Sequence, residues 1–443
     1  MDIEGYTRRM LEKYDEMQVK KILAERIAEI KNWSIEKSEK LAEAVIVEVK
    51  NAYTHKSYLL DYYKSGVTMG EFGVGSRGKG DFYVHEKIGE IIGSSSAIIS
   101  SKDLDDAGVV KYNDLYIAVA VDGIHSRLSE FPFISGFHVT RAAMRDIYVM
   151  GAEPVAVFSD IHVADDGDVS KIFEHVAGIS TVCEATNVPL VSGSTLRIGG
   201  DMVIGDRMTG GVGCVGVSRY ITPRKNVENG DIILLTEGAG GGTIATTAIY
   251  YRMHEVVEET INLDFIKAVK SIFSENLVKK IHSMSDVTNG GIRGDAEEIS
   301  KVSHKSLVFE YEELRKCVRP KVLKMLDELE IDFMGVSIDS LMVICKEEVA
   351  KDVVNVVKSA GVRIREVGWV EDGEDGETGA FLIENGQKKK IRPRFRESAY
   401  TPLKKVVGEE EPPDFEDMKR RVDEAVKKAI EKKKKVLERI GRI

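Results

Sequence analysis

The sequence predicts a protein of the α/β class (α/β or α+β), with two sheet-containing domains between helical extensions. Strand and helix signals alternate from about residue 70 to 220, and again from 229 to about 385, which is typical of such domains. Both ends show apolar residues at helical spacing instead. The chain has 443 residues, enough for two or three domains of about 150 residues each. We predict four segments: 1–65, 66–222, 223–390 and 391–443.

Residues 1–65 are predicted to form a helical N-terminal extension. Its apolar residues recur at helical spacing: Leu23, Ile27 and Ile30, then Leu41, Ala44, Val45 and Val49. Glycine is nearly absent here and becomes frequent from Gly66 onward. This change in composition marks the first predicted boundary.

The two central segments are predicted to contain the sheets. In the first, we predict strands at 114–121, 153–163, 188–191 and 208–217, with helices at 88–92, 134–150 and 170–187. In the second, we predict strands at 232–236, 306–310, 341–345 and 363–370. Helices are predicted at 243–257 and 264–281, and a turn-rich segment at 285–294 opens another helix at 295.

Composition excludes some classes of function. The chain is 43% hydrophobic, which excludes global disorder, and its formal net charge is −10. This acidic balance argues against broad nucleic-acid binding, although a phosphate held through a metal stays possible. Residues 414–443 carry 11 basic and 7 acidic side chains. The run Lys432–Lys435 could contact nucleic acid, but we favour a solvated helix face.

Cysteine usage and hydropathy predict the compartment. Since no two of the four cysteines form a CxxC pair, a zinc ribbon or a dithiol redox site is disfavoured. The residues after Met1 include no apolar signal-peptide core, and no uncharged apolar run approaches the ~18 residues that a membrane span requires. We expect a soluble, cytoplasmic protein without a membrane partner.

Four motifs are notable, and two of them lie in the first domain before the helix predicted at 134–150. Gly73-Val-Gly-Ser-Arg-Gly-Lys-Gly80 could bind an anion through its backbone amides, or it could be a flexible surface loop. Asp105-Asp106 precedes a strand that ends Asp122-Gly-Ile-His125. Clustered carboxylates of this kind hold Mg²⁺ against phosphate, whereas a lone Asp-Asp is more often a turn or an N-cap.

The other two motifs involve buried or turn aspartates. Asp146 lies in a mostly apolar helix and needs a partner, either a metal or an ordinary ion pair with Arg141 or Arg145. The segment from Asp286 to Gly291, Asp-Val-Thr-Asn-Gly-Gly, opens a helix whose N-terminus would face an anion. Simple N-capping by Thr288 or Asn289 is the alternative.

The order of these motifs along residues 70–385 resembles the aminoimidazole ribonucleotide synthetase (PurM-like) superfamily. The resemblance implies an N-terminal α/β domain that dimerises through its sheet, followed by a C-terminal α/β domain. It also implies ATP and Mg²⁺ as cofactors, with ATP at the dimer interface, and a small-molecule substrate activated by phosphoryl transfer.

The resemblance assigns site residues by motif position. The metal ligands would be Asp105, Asp106, Asp122 and Asp146. The phosphate loop would comprise Gly73, Gly75, Ser76, Arg77, Gly78, Lys79 and Gly80, and the second-domain turn would add Asp286, Asn289 and Gly290. Asp122 and His125 are the catalytic candidates; His125 could act as a base or only hydrogen-bond the substrate.

Departures from the family patterns bear on the substrate. Two members of this superfamily have characteristic cysteines. The selenophosphate enzymes carry cysteine or selenocysteine in the Gly loop, and the hydrogenase maturation protein has a cysteine-containing tail. This chain has neither feature, so both assignments are disfavoured. Ser194 stands where many members have an acidic residue. We therefore predict an ATP- and Mg²⁺-dependent enzyme of unassigned substrate. A catalytically weak nucleotide-binding or assembly factor is the alternative, and nucleic acid is not the expected partner.

Overall fold

The computed structural model describes residues 1–54, 57–76, 78–288, 290–373 and 377–441. It confirms the α/β class: two mixed sheets, each with helices packed on it, lie between helical ends. No helix among the described residues is both long and apolar enough to cross a membrane.

The N-terminal extension is a three-helix unit. Its helices are α1 (Ile3–Leu11), α2 (Glu16–Lys31) and α3 (Ile35–Thr54). The predicted apolar residues Leu23, Ile27 and Val45 form its core with Ile204 of the following domain. Lys31 on α2 also pairs with Asp166, at 2.8 Å. The extension is therefore attached to the first sheet domain by both apolar and ionic contacts.

The first domain carries a five-stranded sheet of order β1-β2-β5-β3-β4. Its elements are α4 (Met69–Phe72), α5 (Lys79–Ile92), β1 (Gly108–Tyr112), β2 (Leu115–Gly123), α6 (Pro132–Val149), β3 (Glu153–Val163), α7 (Ser170–Thr186), β4 (Leu190–Arg197) and β5 (Met208–Ser218). The hairpin strand β1 was not predicted; it turns into β2 at Asn113, which adopts φ +54°. Helices α6 and α7 pack together, and α6 packs on the sheet.

The second domain carries a seven-stranded sheet of order β12-β11-β8-β10-β6-β9-β7. Its strands are β6 (Ile232–Thr236), β7 (Ser283–Val287), β8 (Ser306–Glu310), β9 (Ser340–Cys345), β10 (Ile364–Glu371), β11 (Ala380–Glu384) and β12 (Gln387–Ile391). Its helices are α8 (Gly242–Tyr250), α9 (Glu255–Thr260), α10 (Asp264–Ser274), α11 (Gly291–Ser303), α12 (Tyr311–Arg315), α13 (Pro320–Glu328) and α14 (Glu347–Ser359). One apolar core continues from α6 of the first domain to β9 and α10 of the second, so the two domains pack directly together.

Three predictions in the second domain are wrong in detail. The helix predicted at 243–257 is interrupted because Arg252 adopts φ +61°, and the helix predicted at 264–281 ends at Ser274, before Asn276 at φ +55°. The turn-rich segment at 285–294 begins inside strand β7, and helix α11 starts four residues earlier than predicted. Strand β7 was missed because the polar side chains of Ser283, Ser285 and Asp286 hide its fully buried character.

The C-terminal residues pack against both domains, and helix α16 packs against the first. They comprise α15 (Pro402–Val407), which was not predicted, and α16 (Phe415–Ile440). Phe415 joins Phe72 and Phe395 in a small apolar cluster, and Asp423 accepts a hydrogen bond from Tyr83 Oη at 2.6 Å. Lys433 in the basic run donates to the carbonyl oxygens of Ile91 and Ile92. That lysine therefore binds the C-terminal end of α5, an internal contact that neither sequence interpretation included.

Candidate nucleotide and metal site

A cleft of about 880 Å³ lies between the two domains, with a third wall from residues 392–414, here called the C-terminal segment. Five of the predicted aspartates line this one cleft. Asp105 and Asp106 lie in the turn before β1, Asp122 lies near the end of β2, Asp146 lies on α6 and Asp286 lies in β7. The fold thus brings together carboxylates that are separated by up to 181 residues in sequence.

These carboxylates raise one another's pKa. For Asp146, burial is the largest cause and the charges of Asp122 and Asp286 add to it, so its pKa lies well above the ordinary value. Burial likewise raises the pKa of Asp105 to about 6. Each of these groups is costly to ionise without a cation nearby, so the cleft favours binding of positive charge.

The neighbouring arginines do not form ion pairs with Asp146. Arg145 contacts Asp286 (Nε to Oδ2, 3.2 Å) and Asp339, and Arg141 contacts Asp339 at 2.5 Å. Asp146 forms no ion pair at salt-bridge distance among the described contacts, although the charge of Arg145 acts to lower its pKa. The metal and the ion-pair interpretations of Asp146 therefore both stay predictions. Asp339 was not predicted as part of the site; the two arginines hold its pKa well below the usual range despite its burial.

Arg224 occupies part of the acidic cluster as a permanent cation. Its buried guanidinium binds Asp106 (2.6 Å), Glu298 (2.6 Å) and Asp295 (3.2 Å). Asp106 also accepts a hydrogen bond from Ser285 Oγ at 3.1 Å. Asp106 is thus already neutralised, whereas Asp105 Oδ1 is buried without a hydrogen-bond partner among the described residues.

The donor set fits a divalent cation in chemistry but is not assembled around one. Carboxylate oxygens are the ligands that Mg²⁺ prefers, and the orphaned Asp105 oxygen is one of them. Within the described part of the chain, however, no three Asp, Glu, His or Cys side chains already converge in a metal-binding group. The four metal ligands therefore stay a prediction.

The Gly loop, residues 73–80, is divided between the cleft and the protein interior. Gly75 and Ser76 line the cleft. A Cβ at Gly80 would lie 1.7 Å from the Phe72 carbonyl oxygen, and one at Gly78 would lie 2.2 Å from that of Phe395. Close packing alone therefore requires glycine at those two positions.

Other Gly-loop residues have different local roles. Gly73 ends α4 with φ +74°, and the Lys79 ammonium group pairs with Glu411 at 3.0 Å. Arg77 lies outside the described residues.

His125 is held between two hydroxyl groups from different parts of the chain. Its Nδ1 lies 3.2 Å from Thr246 Oγ1 on α8, and its Nε2 lies 2.9 Å from Tyr400 Oη on the C-terminal segment. Both ring nitrogens are thus engaged in the cleft. This geometry accommodates either a base or a hydrogen-bonding role.

The side chain of Thr288 does not cap helix α11. Gly290, with φ +80°, is the N-cap of α11 and offers no side chain. Thr288 Oγ1 donates to Asp286 Oδ1 at 3.2 Å instead, and both residues line the cleft. Asn289 lies outside the described residues.

Comparison with known proteins decides the family. The model of the AIR synthase related protein N-terminal domain matches residues 104–218, and that of its C-terminal domain matches residues 228–380. The chain belongs to the AIR synthase-related family. An uncharacterized protein of Methanocaldococcus jannaschii is 53% identical, covering 99% of this chain and 98% of its own length. Selenide, water dikinase of Nitrosomonas eutropha is 22% identical over 48% of this chain and 60% of its own length.

Solved structures share the fold of this AIR synthase-related protein. A HypE-HypF complex superposes with a TM-score of 0.56 at 18% identity, covering 70% of this chain and 99% of that one. AaThiL complexed with AMPPCP and TMP has a TM-score of 0.54 at 17% identity, covering 71% and 96%. HypE in complex with ATP has a TM-score of 0.51 at 18% identity, covering 62% and 84%.

The cysteines of this AIR synthase-related chain lie away from the cleft. All four are buried, and burial raises the pKa of Cys183 to about 11 and that of Cys214 to about 12. None of the four lines the cleft, so they supply no thiolate there. Ser194 lies on the exposed strand β4, opposite Asp160, and likewise does not line the cleft of the single chain.

Asp339 is not the only cleft residue that was missed at the sequence level. Arg224, Tyr400 and Arg396 all line the cleft, but none lies in a motif or at a strand end. A fourth feature did leave a signal: the run from Gly238 to Gly242 joins the buried strand β6 to α8. Glycine clusters between a strand and a helix are typical of ligand-binding turns, and Gly242 abuts His125.

Proposed function

We propose that this protein is an ATP- and Mg²⁺-dependent enzyme that activates a small-molecule substrate by phosphoryl transfer. The observation that carries the proposal is the set of mutually repelling carboxylates in one cleft, because such a set favours a bound cation and its phosphate ligands. Similar proteins support it: one relative is a selenide, water dikinase, and two structural neighbours were solved with ATP or AMPPCP.

The residues would divide the chemistry among them. Asp105, Asp122 and Asp146 would hold Mg²⁺, which would neutralise phosphate charge. Because phosphoryl transfer needs little covalent assistance, the main contribution of the protein is positioning and electrostatic stabilisation. His125, fixed by two hydroxyl groups, would orient the acceptor or take its proton.

We extend the proposal to a homodimer formed through the first sheet. Helices cover one face of that sheet, but Val119 on β2 is 44% exposed and Val121 is 72% exposed on the other. The register places Val121 in line with Gly213 and Phe158 on the neighbouring strands. An exposed apolar sheet face of this kind favours association with a second apolar surface.

The central test is turnover of ATP in the presence of Mg²⁺, with a panel of small metabolites as acceptors. Replacing Asp122 by Asn preserves its size and removes its charge, so we expect ATP turnover to fall by at least about 100-fold. Asp114→Asn is the matched control, because Asp114 is exposed just before the same strand.

Two outcomes would change the proposal. If the Asp122→Asn variant turned over ATP as fast as the wild type does, Asp122 would have no role in the site. Calorimetry that detects nucleotide binding by the wild type, with no hydrolysis across the panel, would instead favour the nucleotide-binding or assembly factor.

A further inference from the structure

Two arginines that line the cleft, Arg127 and Arg396, form no ion pair with any described residue. Arg127 stacks on Tyr250, with Cζ 5.8 Å from the ring centroid. Arg396 lies on the C-terminal segment. Its guanidinium donates to the carbonyl oxygens of Gly70 (2.8 Å), Glu71 (3.2 Å) and Glu410 (3.3 Å). Carbonyl oxygens orient a guanidinium without neutralising its charge, so Arg396 keeps a net positive charge beside the cleft.

Three other arginines of this region, unlike Arg127 and Arg396, have carboxylate partners. Arg224 binds three acidic side chains, and Arg145 binds two. Arg394, two residues before Arg396, pairs with Glu409 and with Asp332. The unpaired state of Arg396 is therefore a local property and not a general feature of the segment.

Partial burial makes this unpaired charge receptive to an anion. It lowers the pKa of Arg396 from the ordinary arginine value, and no carboxylate counteracts that effect. A partly desolvated cation gains more from an anionic partner than a fully hydrated one does. The planar guanidinium matches the geometry of phosphate oxygens.

The position of Arg396 indicates which anion it meets. Glu397 N, on the adjacent residue, donates to Ser76 O at 2.7 Å, so the arginine is fixed beside the cleft-lining part of the Gly loop. The proposed metal ligands line the same cleft from the first domain. We propose that Arg396 binds the polyphosphate group of the nucleotide; this rests on the proposed function. Arg396 lies beyond residues 228–380, which match the C-terminal domain of the family.

The test is calorimetric titration of the full chain with three probes: MgATP, magnesium tripolyphosphate and adenosine. Arg396→Gln removes the charge, so we expect about 10- to 100-fold weaker binding of MgATP and of tripolyphosphate, as for loss of a charge-assisted hydrogen bond. Adenosine affinity should stay unchanged. Arg396→Lys should recover part of the loss, and the salt dependence of MgATP binding should be shallower in Arg396→Gln.

Arg394→Gln is the matched control and should bind MgATP as the wild type does; circular dichroism and thermal melting of each variant exclude misfolding. If the wild type binds MgATP and Arg396→Gln binds it equally tightly, the inference about Arg396 is wrong while the proposed function stands. If the wild type binds neither MgATP nor tripolyphosphate, the inference about Arg396 and the proposed function are both wrong. A loss of adenosine affinity equal to that of MgATP would assign Arg396 a structural role and overturn the inference.

Discussion

At the residue scale, the contact between His125 and Tyr400 joins two parts of the chain that are 275 residues apart. Tyr400 is 3% exposed, and the Lys404 ammonium group lies 4.3 Å from its ring centroid. Lys404 in turn pairs with Glu397 at 2.6 Å. The tyrosine is thus fixed from both sides, which makes it a positioning residue for His125.

Replacing Tyr400 by Phe removes one hydrogen bond from His125 and keeps the ring packing. We expect about a tenfold lower kcat for ATP turnover with an unchanged KM for ATP, because the imidazole loses its fixed orientation while the nucleotide contacts remain. Stability should fall by only about 1 kcal/mol. Steady-state kinetics and urea unfolding measure both quantities.

Tyr251→Phe is the control for this variant. The buried Tyr251 hydroxyl has no hydrogen-bond partner among the described residues, so its removal should leave kcat unchanged. A Tyr400→Phe enzyme with wild-type kcat would contradict the positioning role.

The aspartates of the cleft could be predicted from the sequence, whereas Arg224 could not, and the reason is physical. Asp122 follows a run of apolar strand residues, and Asp146 interrupts an apolar helix, so each is conspicuous locally. Arg224 looks like an ordinary linker residue until the fold places Asp295 and Glu298, about 70 residues later, around it. Only contacts that are distant in sequence reveal the role of Arg224.

At the element scale, regular strands were predicted best. The bounds of β3, β6 and β8 match the predictions because their β-rich segments are bounded by clear turns or helices. Strands β11 and β12 were missed; in β12, four of five residues are polar or basic and exposed. Such an edge strand carries no apolar periodicity that sequence reasoning could detect.

The exposed face of β2 leads to a prediction about assembly. Val121→Glu places a charge on the exposed face of the sheet that we propose as the interface, where its desolvation would be costly. We expect the dimer to dissociate into monomers, as measured by sedimentation or light scattering at micromolar concentration.

Val169→Glu, 61% exposed and away from the sheet, is the control and should stay dimeric. A monomeric wild type, or an unaffected Val121→Glu dimer, would exclude this face as the interface.

At the scale of the whole molecule, the acidic cleft makes stability depend on pH. Burial is the main cause that raises the pKa of Asp105 to about 6 in the folded chain, against about 3.9 in an unfolded one. Because the pKa of Asp105 is higher in the folded chain, its protonated form favours the folded state. This contribution to the free energy of unfolding is lost as the pH rises from about 4 through about 6. The difference between the two pKa values corresponds to about 3 kcal/mol in the free energy of unfolding.

Asp105→Asn should therefore unfold at higher urea concentration than the wild type at pH 7.5 without metal, and the difference should shrink at pH 4.5. The asparagine amide oxygen can still accept the hydrogen bond from Arg224 N, 3.1 Å from Asp105 Oδ2 in the wild type. Asp114→Asn should show no such pH-dependent gain. If Asp105→Asn raised the urea concentration of unfolding equally at pH 7.5 and pH 4.5, burial of the charged Asp105 carboxylate would not be the cause.

The C-terminal segment has a consequence for the order in which the protein is made. The Gly loop emerges from the ribosome more than 300 residues before Arg394, whose carbonyl oxygen accepts a hydrogen bond from Lys79 N. Both sheet domains can fold as they are synthesised, but the third wall of the cleft is absent until residues 392–414 have been added. A nascent chain that extends only to residue 391 therefore carries the cleft without its third wall.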